Sequence, residues 1–323
     1  MTTPPLSYAG GADLLSRVRQ AVASRVVGQE ATVSDVLTAF LARGHVLVEG
    51  VPGTAKTLLV RSLAAALGLR YARIQFTPDL MPSDVTGVNV LRDPARGFEF
   101  QPGPVFTDLL LGDEINRAPA KTQAALLEAM AERQVTVDGV SRPLGDLFTV
   151  FATQNPVEHE GTYPLPEAQL DRFLIKAVMP YPTRENELEL LARYEQGFDA
   201  ERLDDRAMPA ALSMTEAHTL RGLVDQVRVA EDVRAYIADI TRSTRDERML
   251  ALGASPRATV ALFRAARAAA VIEGRDFVTP DDVKGIAPAV LRHRIALSPE
   301  LEVEGRSPDD VLAALLDKVR APE

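Results

Sequence analysis

An eight-residue segment from Gly50 to Thr57, Gly-Val-Pro-Gly-Thr-Ala-Lys-Thr, constrains this chain more than any other stretch. It follows an apolar run at residues 45–49 and precedes residues 58–67, whose apolar side chains recur at helical spacing. A strand, a glycine-rich turn and a helix form a P-loop, in which backbone N–H groups and the helix N-terminus bind phosphate. In such a loop Lys56 reaches the outer phosphates and Thr57 binds Mg²⁺. The alternative interpretation is a surface Gly-Pro turn before an ordinary helix.

The expected phosphate-binding residues are the whole loop and the next helical residue: Gly50, Val51, Pro52, Gly53, Thr54, Ala55, Lys56, Thr57 and Leu58. Ala55 stands where the general pattern has glycine before the lysine. A methyl group is tolerated there if the residue keeps a negative φ, and we therefore expect a negative φ at Ala55.

The order of apolar runs predicts an α/β fold. Strand-like runs begin near residues 45, 71, 109, 147 and 174, and helical patterns lie between several of them. This alternation is typical of a parallel sheet covered by helices. Two inserted β-hairpins are expected at residues 88–106 and 134–144, the second with an Asp-Gly turn. Residues 77–87 are rich in proline and glycine, so we expect no regular element there.

Composition changes near Pro180-Tyr181-Pro182, and beyond it only helical patterns occur. A hydroxyl residue followed by proline predicts helix starts at residues 255–256, 279–280 and 307–308. We therefore divide the chain into a flexible N-terminus (1–12), an α/β nucleotide-binding domain (13–180) and an α-helical domain (183–323).

Two adjacent acids, Asp113 and Glu114, end the third apolar run. Transfer of a phosphoryl group to water needs a carboxylate that holds hydrated Mg²⁺ and a group that orients or deprotonates the attacking water. Asp113 suits the first role and Glu114 the second. Adjacent acids are also common on surface turns, but after a P-loop this pair has the pattern of a Walker B motif.

Three further residues are candidates for the same chemistry. Asn155 follows the next strand, where a neutral amide orients water without competing for Mg²⁺; the alternative is an ordinary Asn-Pro turn. Arg172 lies in Leu-Asp-Arg-Phe, where a surface ion pair with Asp171 or Glu167 is the alternative. Arg257 follows a helix start, where the dipole disfavours a cation, so an anionic partner explains it better than helix stability does.

These residues stand in the order of an AAA+ ATPase, and more narrowly the chain resembles the MoxR family. The resemblance is carried by residues 49–57, 75–87, 113–123, 152–156 and 167–173. It implies that Asn155 is the sensor-1 residue, that Arg172 is an arginine finger acting in trans, and that Arg257 is a sensor-2 residue. It also implies that Val27 and Gly28 pack on adenine; the alternative is a plain loop before a helix. Alanine before the lysine is typical of this family's P-loop.

The same resemblance implies a Mg²⁺-dependent ATPase that works as a hexameric ring and remodels, assembles or activates protein partners. Such chaperone-like or regulatory ATPases often act with a protein that carries a von Willebrand factor A domain. The two hairpins correspond to the helix-2 and pre-sensor-1 insertions, and residues 183–323 to an α-helical lid. By this analogy we expect Arg257 to sense nucleotide from the lid of its own subunit.

Two alternatives are a nucleic-acid motor and a nucleotide-dependent scaffold without turnover. The formal net charge of −9 disfavours a nucleic-acid partner. Residues 87–104 carry two arginines against two acids, and residues 133–144 two against one, which is less basic than a DNA-tracking hairpin requires. The presence of Glu114 and Asn155 argues against a scaffold that only binds.

The absence of cysteine excludes disulfides and thiolate chemistry. The four histidines lie far apart without the spacing of metal ligands, so we expect surface or core roles for them. No apolar run approaches the ~20 residues of a membrane span, and no signal-peptide pattern begins the sequence. We expect a cytoplasmic protein without membrane contact.

Overall fold

The computed structural model describes residues 6–93, 97–155, 163–200, 202 and 208–322. Its strands are β1 (Val46–Gly50), β2 (Tyr71–Gln75), β3 (Gly87–Asp93), β4 (Gly97–Pro102), β5 (Leu109–Asp113), β6 (Gln134–Val137), β7 (Val140–Pro143), β8 (Thr149–Gln154), β9 (Ile175–Met179), β10 (Leu250–Leu252) and β11 (Ala296–Leu297). Its α-helices are α1 (Tyr8–Ala23), α2 (Glu30–Leu41), α3 (Lys56–Ala66), α4 (Pro82–Thr86), α5 (Ala120–Glu132), α6 (Glu167–Leu170), α7 (Arg184–Glu195), α8 (Met214–Gln226), α9 (Glu231–Asp246), α10 (Pro256–Ile272), α11 (Pro280–Leu291), α12 (Pro299–Val303) and α13 (Pro308–Lys318).

Five strands form one parallel sheet in the order β2-β5-β8-β1-β9. The strands read as apolar runs because helices cover the sheet, and every residue of β5 is buried. The predicted α/β fold is confirmed. In this order β8 lies between β5 and β1, so the carboxyl ends of these three strands are neighbours. The residues that follow them therefore meet at one edge of the sheet.

Both predicted hairpins are present, and they touch each other. The first pairs Leu91 with Phe98, and the second pairs residues 137 and 140 across an Asp-Gly turn. The amide of Asn89 donates a hydrogen bond of 2.6 Å to Asp138, and the guanidinium of Arg142 lies 3.9 Å above the ring of Phe100. The two hairpins therefore pack against each other.

One sequence-based expectation for residues 77–87 was wrong, because this segment contains the short helix α4. Pro82 occupies the first turn, where its missing N–H costs nothing, and the carboxylate of Asp84 accepts a hydrogen bond from the backbone N–H of Met81 at 2.8 Å. Pro82, which led us to expect no regular element, is instead the first residue of a helix.

The C-terminal region is helical, as predicted, and α10, α11 and α13 begin at the three expected prolines. Thr279 and Ser307 cap two of these helices with their hydroxyl groups. The expectation of helices alone was incomplete, because β10 and β11 form a short antiparallel ladder in which Leu250 pairs with Leu297. None of the described helices is long and apolar enough to cross a membrane.

Buried arginines fix the helical region against the α/β core. Arg221 is 2% exposed and donates hydrogen bonds to the carbonyl of Phe40 at 2.9 Å and to the hydroxyl of Thr149 at 3.0 Å. Arg294 forms an ion pair with Asp171 at 2.7 Å. Helix α10 shares a continuous apolar core with α1 and α2. The division of the chain near residues 180–183 stays a prediction.

Candidate active site

The P-loop connects β1 to α3, and Ala55 is its most constrained residue. Its φ is +62° and its ψ is 26°, so the expected negative φ was wrong. Ala55 immediately precedes the first helical residue, where the loop reverses direction so that its N–H groups converge. A residue with a Cβ in this left-handed conformation costs roughly 1–2 kcal/mol, which the surrounding structure must supply.

Glycine is required at Gly50 by close approach of the backbone. A Cβ there would lie 2.9 Å from the carbonyl oxygen of Met179, in the neighbouring strand. Gly53 has a φ of +84° at the tip of the loop, with open space around it. The ammonium of Lys56 lies across the loop and donates to the carbonyls of Gly50 and Val51 at 2.5 and 2.8 Å. The loop thus has the cradle shape that a phosphate group requires.

A cleft of about 550 Å³ opens over the P-loop, and the carboxyl ends of β5 and β8 form its far wall. The structure brings Asp113, Glu114 and Asn155 into this cleft together with the loop residues from Pro52 to Leu58. Asn155 is 6% exposed and directly follows β8, which separates Asp113 from the P-loop strand. The predicted position of Asn155 between the two motifs is confirmed, while its role stays a prediction.

Asp113 is held by three side chains. Its Oδ1 accepts a hydrogen bond of 2.5 Å from the hydroxyl of Thr153, and its Oδ2 accepts one of 2.6 Å from Nη2 of Arg73. The hydroxyl of Thr57 is 3.5 Å from the same Oδ2. Thr57 and Asp113 therefore offer two neighbouring oxygen atoms beside a phosphate cradle, which is the donor set that Mg²⁺ prefers, so the residues fit a magnesium ion.

Glu114 has a left-handed backbone, with φ of 58° and ψ of 52°, and its N–H donates to the hydroxyl of Thr153 at 2.9 Å. Its Oε2 accepts hydrogen bonds from Nε2 of Gln75 at 2.8 Å and from NH1 of Arg117 at 3.1 Å. One carboxylate oxygen is thus engaged by two donors outside the P-loop. The orientation of Glu114 is therefore set by Gln75 and Arg117.

A smaller cavity of about 180 Å³ adjoins the cleft and shares Gly53, Thr54 and Leu58 with it. Val27 lines this cavity, and its packing on a base stays a prediction. Gly28 has a φ of +70°, and a Cβ there would lie 2.0 Å from the amide nitrogen of Asn186. Another wall comes from α7 and the residues that follow it: Asn186, Leu190, Tyr194 and Phe198.

Arg172 and Arg257 are not among the residues that line the P-loop cleft; they lie together in another pocket. This arginine pocket has a volume of about 390 Å³, and six arginines line it: Arg43, Arg133, Arg172, Arg257, Arg264 and Arg294. Arg172 donates to the carbonyl of Leu127 at 2.7 Å, while NH1 of Arg257 is 4.0 Å from Asp171.

Arg257 does not line the P-loop cleft of its own subunit, where the resemblance implied that it senses nucleotide, and its role stays a prediction. Arg257 is in the first turn of α10, which packs beside α2 and α1, and its guanidinium lies next to Asp171. The alternative of an ion pair between Arg172 and Asp171 is not the arrangement found, since Asp171 pairs with Arg294. The side chain of Arg257 is 79% exposed, which leaves it accessible to an external anion.

Sequence reasoning missed Arg73, Gln75 and Thr153, which hold the two acids, and the base-pocket residues of α7. Gln75 lies in one of the family-like stretches, but nothing local in the sequence indicates that its partner is Glu114, which is 39 positions away. These contacts depend on the pairing of β2 with β5 in a parallel sheet, whose register only the fold reveals.

Two family models match the chain. Residues 45–175 match the model described as "ATPase family associated with various cellular activities (AAA)", and residues 242–315 match the "AAA lid domain". The first range contains the P-loop, both acids, Asn155 and Arg172. The second contains Arg257.

Relatives match over nearly the whole chain. An uncharacterized protein, YeaC, of Bacillus subtilis is 45% identical over 96% of this chain and 95% of its own length. Chaperone MoxR1 of Mycobacterium tuberculosis is 42% identical over 92% of this chain and 80% of its own. A crystal structure of a candidate ATPase from Cytophaga hutchinsonii is 40% identical, covers 98% of this chain and 97% of that one, and has a TM-score of 0.87.

Proposed function

The chain belongs to the MoxR family of AAA+ ATPases, and on that premise we propose that it hydrolyses ATP in a ring of identical subunits. The observation that carries the proposal is the separation of the site into two parts. The P-loop, Asp113, Glu114 and Asn155 share one cleft, whereas Arg172 and Arg257 line another pocket. An arginine that completes the site must then come from a neighbouring subunit.

The residues of the cleft account for binding and for activation of water. The N–H groups of the P-loop and the ammonium of Lys56 bind the phosphates, and Val27 with Tyr194 covers the base. Mg²⁺, held by Thr57 and Asp113, would neutralise charge on the phosphates. Glu114 accepts a proton from the attacking water once its carboxylate turns from Gln75 and Arg117, and the amide of Asn155 orients that water.

The arginines supply positive charge where the transition state gains negative charge. Arg172 and Arg257 of one subunit would face the γ-phosphate in the cleft of the next. A guanidinium supplied in trans is worth about 10³–10⁵ in rate in other phosphoryl-transfer enzymes. An isolated chain should therefore bind nucleotide but turn it over slowly.

We further propose that turnover remodels or activates protein partners in the cytoplasm. One relative is named a chaperone, which supports a protein client. A partner with a von Willebrand factor A domain and a hexameric ring are proposals that the family resemblance supplies. The hairpins do not favour nucleic acid, because Arg142 is stacked on Phe100 and not presented to a phosphate backbone.

The test mixes two variants that are each inactive in a phosphate-release assay, Glu114→Gln and Arg172→Ala. Some interfaces of a mixed oligomer pair an intact Glu114 with an intact Arg172, so partial activity should return. Activity per subunit should also rise with protein concentration. If mixed oligomers form and no activity returns, the shared site is wrong. A Lys56→Ala variant that binds ATP as the wild type does would contradict the P-loop assignment.

A further inference from the structure

The arginine pocket carries more positive charge than its own acids balance. Among the described residues that line it, Asp171 is the one acid, against six arginines. Asp171 is shared by Arg294 and Arg257, and Arg43 has Asp225 as its carboxylate partner. The pocket therefore holds an excess of cations.

The other guanidinium groups donate to neutral carbonyls. Arg133 donates to the carbonyls of Arg43 and Asp146 at 2.9 and 3.2 Å, and Arg264 donates to the carbonyl of Ala42. A carbonyl satisfies a hydrogen bond but neutralises no charge. Burial, together with the neighbouring guanidinium groups, lowers the pKa of both Arg133 and Arg264. An external anion at this pocket would relieve that repulsion.

One wall of the pocket has a definite pattern along α10. Arg257, Val260 and Arg264 lie on the outward side of this helix, and we call them the basic stripe. Arg257 and Arg264 are two turns apart, about 10 Å along the axis. Val260, between them, is 59% exposed. The stripe thus presents an apolar residue between two cations.

Helix α7 presents the opposite pattern. None of its residues is buried. Glu187, Leu191 and Glu195 follow each other at intervals of one turn, with Leu188 beside them, and we call these four residues the acidic stripe. Leu188 and Leu191 are 49% and 62% exposed. Glu187 and Glu195 form no ion pair with another described residue.

The acidic stripe faces away from the body of its own chain. The neighbouring side of α7, through Asn186 and Leu190, lines the base cavity. A third side is fixed by Arg193, which donates to the carbonyls of Ala23 and Ser24 and pairs with Glu189. The stripe is therefore presented at the rim of the nucleotide cleft.

We propose that the acidic stripe of one chain docks on the basic stripe of a second copy. Two exposed leucines flanked by acids meet an exposed valine flanked by arginines, so both charge and apolar surface are complementary. The two stripes are different patches of one chain, so the contact is head-to-tail and closes into a ring when the rotation permits. The inference rests on the proposed function, because the same contact would place Arg172 and Arg257 beside the neighbour's cleft.

Cysteine cross-linking tests the contact directly, since the chain has no cysteine of its own. Leu191→Cys and Val260→Cys variants, one of them carrying a size tag, are mixed and mildly oxidised. A disulfide between them forms only if the two stripes meet within about 7 Å of Cα separation. The matched control replaces Val260→Cys by Val303→Cys, which is 90% exposed on α12. A chain that carries both Leu191→Cys and Val260→Cys should give a ladder of linked oligomers.

Charge reversal provides an independent measurement. Glu187→Lys with Glu195→Lys should raise the concentration for half-maximal assembly at least about tenfold. The control, Glu302→Lys with Glu304→Lys, makes the same change in charge at two exposed positions elsewhere and should leave assembly unaltered. Adding Arg264→Glu to the first pair should recover part of the loss. No difference between the two pairs would overturn the proposal.

The outcomes separate this contact from the proposed function. If Leu191→Cys links to Val260→Cys no better than to Val303→Cys, while the Glu114→Gln and Arg172→Ala mixture regains activity, the ring stands and this contact is wrong. If the cross-link forms but the Glu114→Gln and Arg172→Ala mixture regains no activity, the contact is supported and the shared active site is wrong. If inorganic triphosphate protects Val260→Cys from a thiol reagent while assembly proceeds without the cross-link, a small polyanion occupies the pocket and the proposal is overturned.

Discussion

Arg73 and Asp113 form an ion pair in which NH2 and Oδ2 are 2.6 Å apart, and the hydroxyl of Thr57 faces the same Oδ2 at 3.5 Å. The proposed magnesium-binding carboxylate oxygen is therefore already bound to a cation of its own chain. Arg73 and a metal ion would compete for it. The side chain of Arg73 is 46% exposed, so it has room to swing away.

From this competition we expect Arg73→Ala to lower the Mg²⁺ concentration for half-maximal ATPase activity by a few-fold. Arg73→Lys keeps the charge but loses the planar guanidinium, so its half-maximal Mg²⁺ concentration should lie between those of the wild type and Arg73→Ala. The measurement is phosphate release against Mg²⁺ at fixed ATP. A higher Mg²⁺ requirement in Arg73→Ala would mean instead that Arg73 holds Asp113 in its working orientation.

Gln75 should restrain Glu114. Its amide donates to Oε2 of Glu114 at 2.8 Å, and Arg117 donates to the same oxygen at 3.1 Å, so this oxygen is not free to accept a proton from water. We expect Gln75→Ala to raise the basal ATPase rate a few-fold with little change in ATP affinity. Gln75→Glu, which repels Glu114, should raise it as well. A fall in rate in both variants would show that Gln75 positions the base for reaction.

Ala55→Gly should not destabilise the protein, although most Ala→Gly changes do. With a φ of +62°, Ala55 carries a left-handed strain that glycine lacks, and this offsets the larger backbone entropy of glycine in the unfolded chain. We expect a gain in unfolding free energy of about 0–1 kcal/mol by urea denaturation. Ala124→Gly, in the exposed interior of α5, should lose about 1 kcal/mol. Equal losses in both would contradict the backbone geometry at Ala55.

Much of the candidate site could be predicted from the sequence because each of its motifs is a short continuous segment. The P-loop follows a strand and starts a helix, and Asp113 and Asn155 each end or directly follow a strand of one parallel sheet. Strand ends in such a sheet meet, so sequence order alone predicted the cleft. Ala55 shows the limit of that reasoning, since its φ is imposed by the convergence of the loop and not by alanine's own preference.

Arg257 shows a second limit. The sequence correctly indicated an arginine at a helix start, where it lacks a local reason to be. Its location depends on how α10 packs on α2 and on the link from Arg294 to Asp171. These are contacts between segments more than a hundred residues apart, and no periodicity encodes them. A motif therefore specified the residue but not the cleft that it faces.

Acid should destabilise the fold through His45. This residue is 6% exposed, accepts a hydrogen bond at Nδ1 from the N–H of Val150, and lies with Nε2 3.2 Å from the carbonyl of Met130. Burial lowers its pKa from 6.5 to about 3. Between these values the unfolded chain binds a proton that the folded chain does not, so unfolding becomes easier as pH falls.

The contribution of His45 should fall by about 2.5 kcal/mol between pH 7 and pH 4.5. His45→Gln has no ionisable group and should lower stability at pH 7, while losing less on acidification than the wild type. Urea midpoints of both proteins at several pH values give the comparison. Parallel pH curves would mean that His45 does not titrate in the unfolding reaction.

Arg257 should act across the same interface as Arg172, because both line the arginine pocket and neither lines the P-loop cleft. We expect Arg257→Ala alone to bind ATP almost normally and to hydrolyse it slowly. Mixed with Glu114→Gln, it should regain activity, since a Glu114→Gln subunit can supply an intact Arg257 to the cleft of an Arg257→Ala subunit.

A mixture of Arg172→Ala with Arg257→Ala makes the decisive comparison. If both arginines act in trans, they must come from the same neighbouring subunit. Every subunit in this mixture carries only one of the two, so no cleft receives both and no activity returns. If Arg257 acts in cis, the cleft of an Arg172→Ala subunit retains Arg257 and receives Arg172 from an Arg257→Ala neighbour, and activity must return. The Glu114→Gln mixtures show that subunits exchange, so recovery in the arginine mixture would place Arg257 on its own subunit's nucleotide and contradict the geometry of the arginine pocket.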